Sequence, residues 1–221
     1  NISMIHINFP EIAEDHLHYE PFFHVEVPTA IDRKTNDQLH QHYLENATWL
    51  GEKEANKIIN DVEYSKLNNV KHARQIEFPE WNKFVQKEWL TKLFKIFKVP
   101  FPEKFYTGIS CAMHGKGTEL IPHTDGPPDS ASFRNASKFH KKEMTGCIIQ
   151  HIYILDTDQY PESGMQFHYS DFDDKNLKPV KQVKALPGTY VAYRNTPNSL
   201  HGVPEQKVDF KRMLVNLKTF W

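Results

Sequence analysis

The chain has few of the residues that mark secreted and membrane proteins. Its 221 residues include two cysteines, Cys111 and Cys147. Both lie in apolar, strand-like surroundings, which predicts buried thiols rather than a disulfide. No apolar run approaches the length of a membrane span, and the first residues lack the basic-then-apolar layout of a signal peptide. We therefore expect a soluble, cytoplasmic protein.

An excess of charge of one sign is also missing. The formal net charge is −1, so no overall basic field favours nucleic acid or an anionic membrane as a partner. Aromatic residues, in contrast, make up 13% of the chain, which excludes a disordered protein. A chain of this length fits one structural domain with a sizeable hydrophobic core.

Residues 4–102 are predicted to be helix-rich and to pack on a sheet. Thr35 and Gln38 have the spacing of a capping box, and the apolar residues after them predict a helix from about Asn36 to Asn46. A stronger apolar stripe predicts a second helix from about Glu80 to Lys98, packed against a flat surface. The stripe consists of Trp81, Phe84, Val85, Trp89, Leu93 and Ile96.

The pattern changes in residues 103–221, where short apolar segments alternate with Gly, Pro and Asp turn signals. Eight such segments predict a mainly β fold, either an antiparallel sandwich or a barrel. They span residues 105–114, 118–125, 146–156, 164–169, 180–186, 188–195, 200–205 and 212–221.

One long insertion, Gly126–Gly146, interrupts these strands. Long loops in compact domains are usually functional lids or disordered segments, and this one is predicted to be a lid over the substrate. Its basic run, Lys138–Lys142, could clamp an acidic group, although a solvated charge run is the simpler interpretation.

His123 and Asp125 lie immediately before the insertion, in the segment ELIPHTDG. Residues two apart in an extended chain point to the same face, so both side chains could bind one metal ion. The pair alone is weak evidence, because 13 His and 12 Asp would produce one His-x-Asp roughly 0.7 times by chance. A third ligand from a distant strand is needed.

His201 follows a predicted strand and can supply that ligand, and Arg212 opens the apolar strand after it. Arginine is scarce, with five against 22 lysines, so an arginine in an apolar strand requires an explanation. If Arg212 faces inward, Leu214 and Asn216 do too, while the residues between them pack outward. The buried guanidinium would then need an anionic partner.

In this order, the four residues resemble the signature of the iron(II)- and 2-oxoglutarate-dependent oxygenases: His-x-Asp/Glu, a distal His on a later strand and a basic residue beyond it. The segment SGMQF is similar to a strand of the prolyl hydroxylase-like branch, and HGV is similar to its His-x-Val. The resemblance extends from about Phe105 to Trp221.

This resemblance implies a double-stranded β-helix (jelly roll) for residues 103–221, backed by the N-terminal helices. It implies that His123, Asp125 and His201 form the catalytic centre and bind one iron(II) ion, and that Arg212 binds the far carboxylate of the cosubstrate 2-oxoglutarate. The implied reaction uses O2, converts 2-oxoglutarate to succinate and CO2, and hydroxylates a C–H bond. Ascorbate is a candidate further cofactor.

Two positions depart from the family pattern. Met165-Gln166 replaces the usual Gly/Glu-Thr, and Leu214 stands where some branches have a serine that helps to hold the carboxylate. The resemblance implies peptidyl proline, a free amino acid or another small molecule as the substrate. No segment of the sequence resembles a nucleic-acid-binding module.

Two other functions remain open at this point. One is a non-catalytic jelly-roll module that binds metal, although structural zinc normally has four protein ligands and the sequence offers three. The other is a cupin-like oxygenase that does not use 2-oxoglutarate, which Arg212 argues against. Further histidines give weaker signals. His16 and His18 could bind metal, but their charged segment favours a solvated face. His114, His151 and His168 lie in predicted strands, and one of them could line the pocket, although the side that each faces is undetermined.

Overall fold

The computed structural model describes residues 5–49, 65–66, 70–74, 79–125, 144–170, 179–210 and 212–221. Nearly all of the predicted lid, including Lys138–Lys142, lies outside these residues. Within the described ranges, no helix is long and apolar enough to cross a membrane. Cys111 and Cys147 are free, buried thiols, which confirms the prediction made from their surroundings.

The first predicted helix is present as α1 (Arg33–Asn46), but it begins earlier than expected. Its N-cap is Asp32, whose carboxylate accepts hydrogen bonds from the backbone N–H of Thr35 at 3.0 Å and from its hydroxyl at 2.7 Å. The capping box assigned to Thr35 and Gln38 was therefore wrong. Asp satisfies the free N–H groups of a first helical turn as well as Thr does, and both were available within three residues.

The second predicted helix is divided in two. Pro79–Val85 forms a 3-10 helix, and α2 spans Lys87–Ile96, with extended backbone at Gln86 between them. The prediction of one continuous helix was wrong because an apolar spacing of three residues suits 3-10 and α-helices alike. Two further short 3-10 helices span Glu14–His16 and Pro161–Ser163.

The strands form two antiparallel sheets in the described part of the chain. The larger sheet has the order β1-β2-β10-β7-β12-β5-β4, and the smaller has the order β3-β6-β11-β8-β9. The strands are β1 (Leu17–His18), β2 (His24–Val27), β3 (Ser65–Lys66), β4 (Val70–Arg74), β5 (Tyr106–His114), β6 (Glu119–His123), β7 (Cys147–Ile154), β8 (Gln166–Phe167), β9 (Lys181–Gln182), β10 (Tyr190–Arg194), β11 (His201–Val203) and β12 (Arg212–Phe220).

This architecture confirms the predicted mainly β jelly roll, and each of the eight predicted strand segments contains one strand, β5 to β12. The strands before residue 102 were not predicted. In β2, for example, all four residues are buried, so the alternation of apolar and polar residues that signals a half-exposed strand is absent.

Two apolar layers lie on opposite faces of the larger sheet. On the outer face, helical residues such as Trp81, Leu90 and Leu93 pack with Ile152 and Val215 of the sheet. On the inner face, residues such as Phe167 and Leu214 fill the space between the two sheets. The helices thus cover one face of the sheet, as the apolar stripe predicted, and the other face is left to line the interior of the jelly roll.

Candidate metal centre

His123 and His201 face each other across the smaller sheet. His123 ends β6, His201 begins β11, and the two residues are direct partners in the strand register. Their ring centroids are 4.6 Å apart. Next to His201, a Cβ on Gly202 would lie 2.7 Å from the carbonyl oxygen of Leu120. Glycine at this position therefore allows the close strand approach that brings the two imidazoles together.

Backbone carbonyls hold both imidazoles in the same tautomer. Nδ1 of His123 lies 2.7 Å from the carbonyl oxygen of Ile121, and Nδ1 of His201 lies 2.9 Å from that of Ser199. Because a carbonyl can only accept, each Nδ1 carries a hydrogen, and Nε2 is the ring atom left to bind a metal. Burial lowers the pKa of His201 to about 4 and the neighbouring His123 adds to this effect, so the His201 ring is neutral. This is the form of histidine that binds metals.

Asp125 presents its two carboxylate oxygens to different partners. Oδ1 forms an ion pair with the ammonium of Lys218, whereas Oδ2 lies 3.5 Å from Nε2 of His201. Burial raises the pKa of the Asp125 carboxyl, but interactions led by the ammonium of Lys218 outweigh burial and hold the pKa well below its usual range. Asp125 is therefore an ionised carboxylate with one oxygen directed towards His201.

Tyr193 of β10 is a further polar group at this position. Its phenol oxygen lies 3.1 Å from Nε2 of His201 and 3.5 Å from Oδ2 of Asp125. The same oxygen lies 3.1 Å from Nε2 of His151, whose Nδ1 contacts Oδ1 of Asn216. Burial lowers the pKa of His151 to about 3, so this ring is also neutral.

Alternate residues of β12 face the interior between the sheets. Leu214 packs in the inner layer, Asn216 contacts His151, and Lys218 reaches Asp125. Met213, Val215 and Leu217 pack in the outer layer instead. The parity deduced from the sequence is thus confirmed, and it places Arg212 inside.

Arg212 is fully buried, with 0% of its surface exposed. One guanidinium nitrogen contacts Nδ1 of His114, the other terminal nitrogen lies 3.4 Å from the hydroxyl of Tyr153, and the guanidinium carbon lies 5.1 Å from the centre of the Tyr153 ring. Burial lowers the pKa of Arg212, but an arginine remains charged even so. Within the described residues, no carboxylate lies within ion-pair distance of this cation, and its Nε has no hydrogen-bond partner.

The structure brings together three of the four predicted site residues, and Arg212 lies apart from them. His201 is the common neighbour of His123 and Asp125, and Arg212 lies at the opposite end of β12 from Lys218. The ligand set is not closed, however: in the part of the chain that the structure describes, no three His, Cys, Asp or Glu side chains are grouped so as to hold a metal ion.

Four residues of this site were not predicted from the sequence. Lys218 and Tyr193 contact Asp125, and His114 and Tyr153 contact Arg212. The alternation that placed Arg212 inside β12 also places Lys218 inside, so that residue could have been found. The other three could not, because their contacts depend on which strands become neighbours.

Of the departures from the family pattern, Met165 is buried between the sheets, and Gln166 lies 3.4 Å from Gln182.

No family model matches the sequence, and no curated protein matches it. Solved structures do match the fold. HygX from Streptomyces hygroscopicus, with nickel and 2-oxoglutarate bound, has a TM-score of 0.57 and 11% identity over 89% of this chain and 82% of its own. The collagen prolyl hydroxylase of Paramecium bursaria Chlorella virus-1, as a 2-oxoglutarate complex, has a TM-score of 0.54 and 11% identity over 89% and 95% of the two chains.

A third similar structure is the prolyl hydroxylase of Trichoplax adhaerens in complex with a peptide of the hypoxia-inducible factor. Its TM-score is 0.54, with 14% identity over 89% of this chain and 83% of that one. Identities at this level establish the shared fold. The chain has the jelly-roll fold of the 2-oxoglutarate-dependent oxygenases and, among them, of the prolyl hydroxylases.

Proposed function

We propose that the protein is a non-haem iron(II)- and 2-oxoglutarate-dependent dioxygenase that hydroxylates a C–H bond. The observation that carries this proposal is the environment of Arg212, a fully buried cation without a carboxylate among its described neighbours. A buried guanidinium requires an anion, and it binds a carboxylate with two parallel hydrogen bonds. The far carboxylate of 2-oxoglutarate is such an anion, and the hydroxyl of Tyr153 could share it.

The donor atoms near the other end of β12 suit iron(II). In this proposal, His123, Asp125 and His201 would hold the ion, as the two-histidine, one-carboxylate set of non-haem oxygenases. The described side chains are not grouped around one point, so binding includes a rearrangement of the ligands. When bound, the ion would supply the O2 chemistry that couples loss of CO2 from 2-oxoglutarate to hydroxylation.

The other residues of the site would prepare it for this chemistry. Ile121 and Ser199 orient the imidazoles through their carbonyls, and Lys218 holds Oδ1 of Asp125 so that Oδ2 faces His201. Buried apolar residues between the sheets, including Leu214 two positions after Arg212 on β12, would keep water away from the guanidinium. The protein itself makes the contacts of Ile121, Ser199 and Lys218 before any ligand enters.

The substrate in this proposal is a peptidyl proline, a free amino acid or another small molecule. One structural neighbour binds a peptide and another binds hygromycin B, so the fold accommodates bound molecules of both kinds. We place the activity in the cytoplasm, because both thiols are free and reduced cysteines are typical of that compartment.

An activity assay distinguishes this proposal from the two alternatives, a metal-binding module and a cupin-like oxygenase. The protein would be incubated with iron(II), 2-oxoglutarate and O2, with and without a panel of proline-containing peptides, amino acids and other small molecules. The proposal predicts succinate formation that a true substrate accelerates, together with a product heavier by one oxygen atom. A metal-binding module would form no succinate, and a cupin-like oxygenase would oxidise a substrate without consuming 2-oxoglutarate. Either of these results would overturn the proposal.

A further inference from the structure

The phenol oxygen of Tyr193 completes a triangle with two of the proposed ligand atoms. Its edges are 3.1 Å from Tyr193 to Nε2 of His201, 3.5 Å from Tyr193 to Oδ2 of Asp125, and 3.5 Å between the latter two atoms. The centre of this triangle is about 2 Å from each atom, which is the length of a metal bond to nitrogen or oxygen. Three donor atoms are therefore spaced as they would be around one metal ion.

The hydrogen of the phenol has an acceptor outside this triangle. Oδ1 of Asn216 can only accept, so Nδ1 of His151 donates to it, and Nε2 is the ring atom that faces the phenol oxygen, at 3.1 Å. When Tyr193 donates to His151, the lone pairs of its oxygen remain available to the space between Asp125 and His201.

Tyr193 is also held firmly in this position. It is fully buried, and its ring packs at centroid distances of 5.9 Å against both Phe22 and Phe167. Tyr190, on the same strand, points to the opposite face of the sheet, where its hydroxyl donates to Gln150 at 2.9 Å. The two tyrosines are thus equally buried, but only one of them adjoins the candidate metal centre.

We propose that Tyr193 is an additional metal-binding residue, which contacts the ion through its phenol oxygen when no cosubstrate is bound. This inference rests on the metal centre of the proposed function. An octahedral ion held by three protein ligands has three open positions, and a fourth protein ligand leaves two. Tyr193 would then strengthen metal binding in the resting protein and compete with the cosubstrate for one position.

The test compares Tyr193→Phe with Tyr190→Phe and Asp125→Ala. Calorimetric titration with zinc(II) gives the metal affinity, and the visible absorption of the cobalt(II)-loaded protein reports the number and geometry of its ligands. We expect Tyr193→Phe to weaken zinc binding about 10-fold or more and to change the cobalt spectrum. Tyr190→Phe should leave both properties as in the wild type, because its hydroxyl lies on the other face of the sheet.

Two results would overturn the inference. An unchanged affinity would show that the phenol does not contact the metal, and a weaker affinity with an unchanged cobalt spectrum would show that it only orients His201. Asp125→Ala distinguishes these failures from a failure of the metal centre itself. If that variant binds zinc as tightly as the wild type does, the proposed centre is wrong, and the inference about Tyr193 falls with it.

Discussion

The ammonium of Lys218 pairs with Oδ1 of Asp125, and this pairing leaves Oδ2 directed towards His201. The two residues are far apart in the sequence and meet because β12 lies in the larger sheet while Asp125 follows the last strand residue of β6 in the smaller one. One oxygen of the carboxylate is thereby neutralised by the protein, and the other is available to a ligand.

Replacement of Lys218 by methionine should destabilise the metal-free protein. The partly buried carboxylate of Asp125 would lose its cation, at a cost of about 1–3 kcal/mol in the free energy of unfolding. Divalent metal should then restore more stability to the variant than it adds to the wild type, because it becomes the main cationic partner of Asp125. Urea denaturation with and without manganese(II) measures both effects.

Lys181→Met is a matched control. The side chain of Lys181 is 32% exposed, close to the 30% of Lys218, and it pairs with the buried Glu26 at 3.0 Å. The control should also lower stability, but manganese should add the same increment as in the wild type. An equal gain from manganese in both variants would show that Lys218 has no special relation to the metal.

Asp125→Ala should abolish hydroxylation and weaken metal binding, because it removes the proposed carboxylate ligand. Asp37 provides the control, since its exposed carboxylate on α1 pairs with Arg33 at 2.8 Å. Metal titration and succinate formation would be measured for both alanine variants. Full activity in Asp125→Ala would remove this residue from the centre.

Asn36→Ala should destabilise the fold without affecting metal binding. The buried amide of Asn36 donates to the carbonyl of Leu155 at 2.6 Å and accepts from its N–H at 3.1 Å, which joins α1 to the chain just after β7. Loss of both bonds leaves buried backbone groups unpaired and should cost about 2–4 kcal/mol. Urea denaturation of this variant and of Asn46→Ala, an exposed position at the end of α1, tests the prediction. Similar losses in both variants would contradict it.

Cys111 and Cys147 should not react with thiol reagents in the folded protein. Burial raises the pKa of both thiols well above the usual range, so neither forms the reactive thiolate at neutral pH. A colorimetric disulfide reagent should detect no thiols in native protein at pH 8 and two after denaturation. Rapid reaction in the native state would show that one of these strands opens readily.

The sequence predicts much of the β-rich half of the molecule, because strand alternation is local. The positions of Met213 and Val215 in the outer layer and of Leu214 in the inner layer follow from the order of residues in β12. The break at Gln86 does not, because apolar residues on both sides of it serve the same core. Strand β2 could not be predicted either, since burial on both faces removes the alternation of apolar and polar residues.

Some residues of the candidate site could likewise be predicted from the sequence, and others could not. The residue types and the order of His123, Asp125, His201 and Arg212 are the basis on which the sequence predicts a metal centre and an anion site. Tyr193 could not be predicted, because its contact with His201 depends on residues of opposite sheets meeting in the interior. Sequence patterns specify which face of a strand a residue occupies, whereas sheet order determines what it meets there.

The central claim is that Arg212 binds the far carboxylate of 2-oxoglutarate. The most direct test is the affinity of the manganese-loaded protein for 2-oxoglutarate. Manganese(II) in place of iron allows binding to be measured without turnover. Truncating one partner of a buried charge pair typically costs about 2 kcal/mol or more, so Arg212→Gln and Arg212→Ala should weaken 2-oxoglutarate binding by at least about 30-fold. Manganese affinity should change little, and Arg194→Ala, at an exposed position of β10, should bind both ligands normally. Equal affinity for 2-oxoglutarate in the wild type and both Arg212 variants would contradict the account.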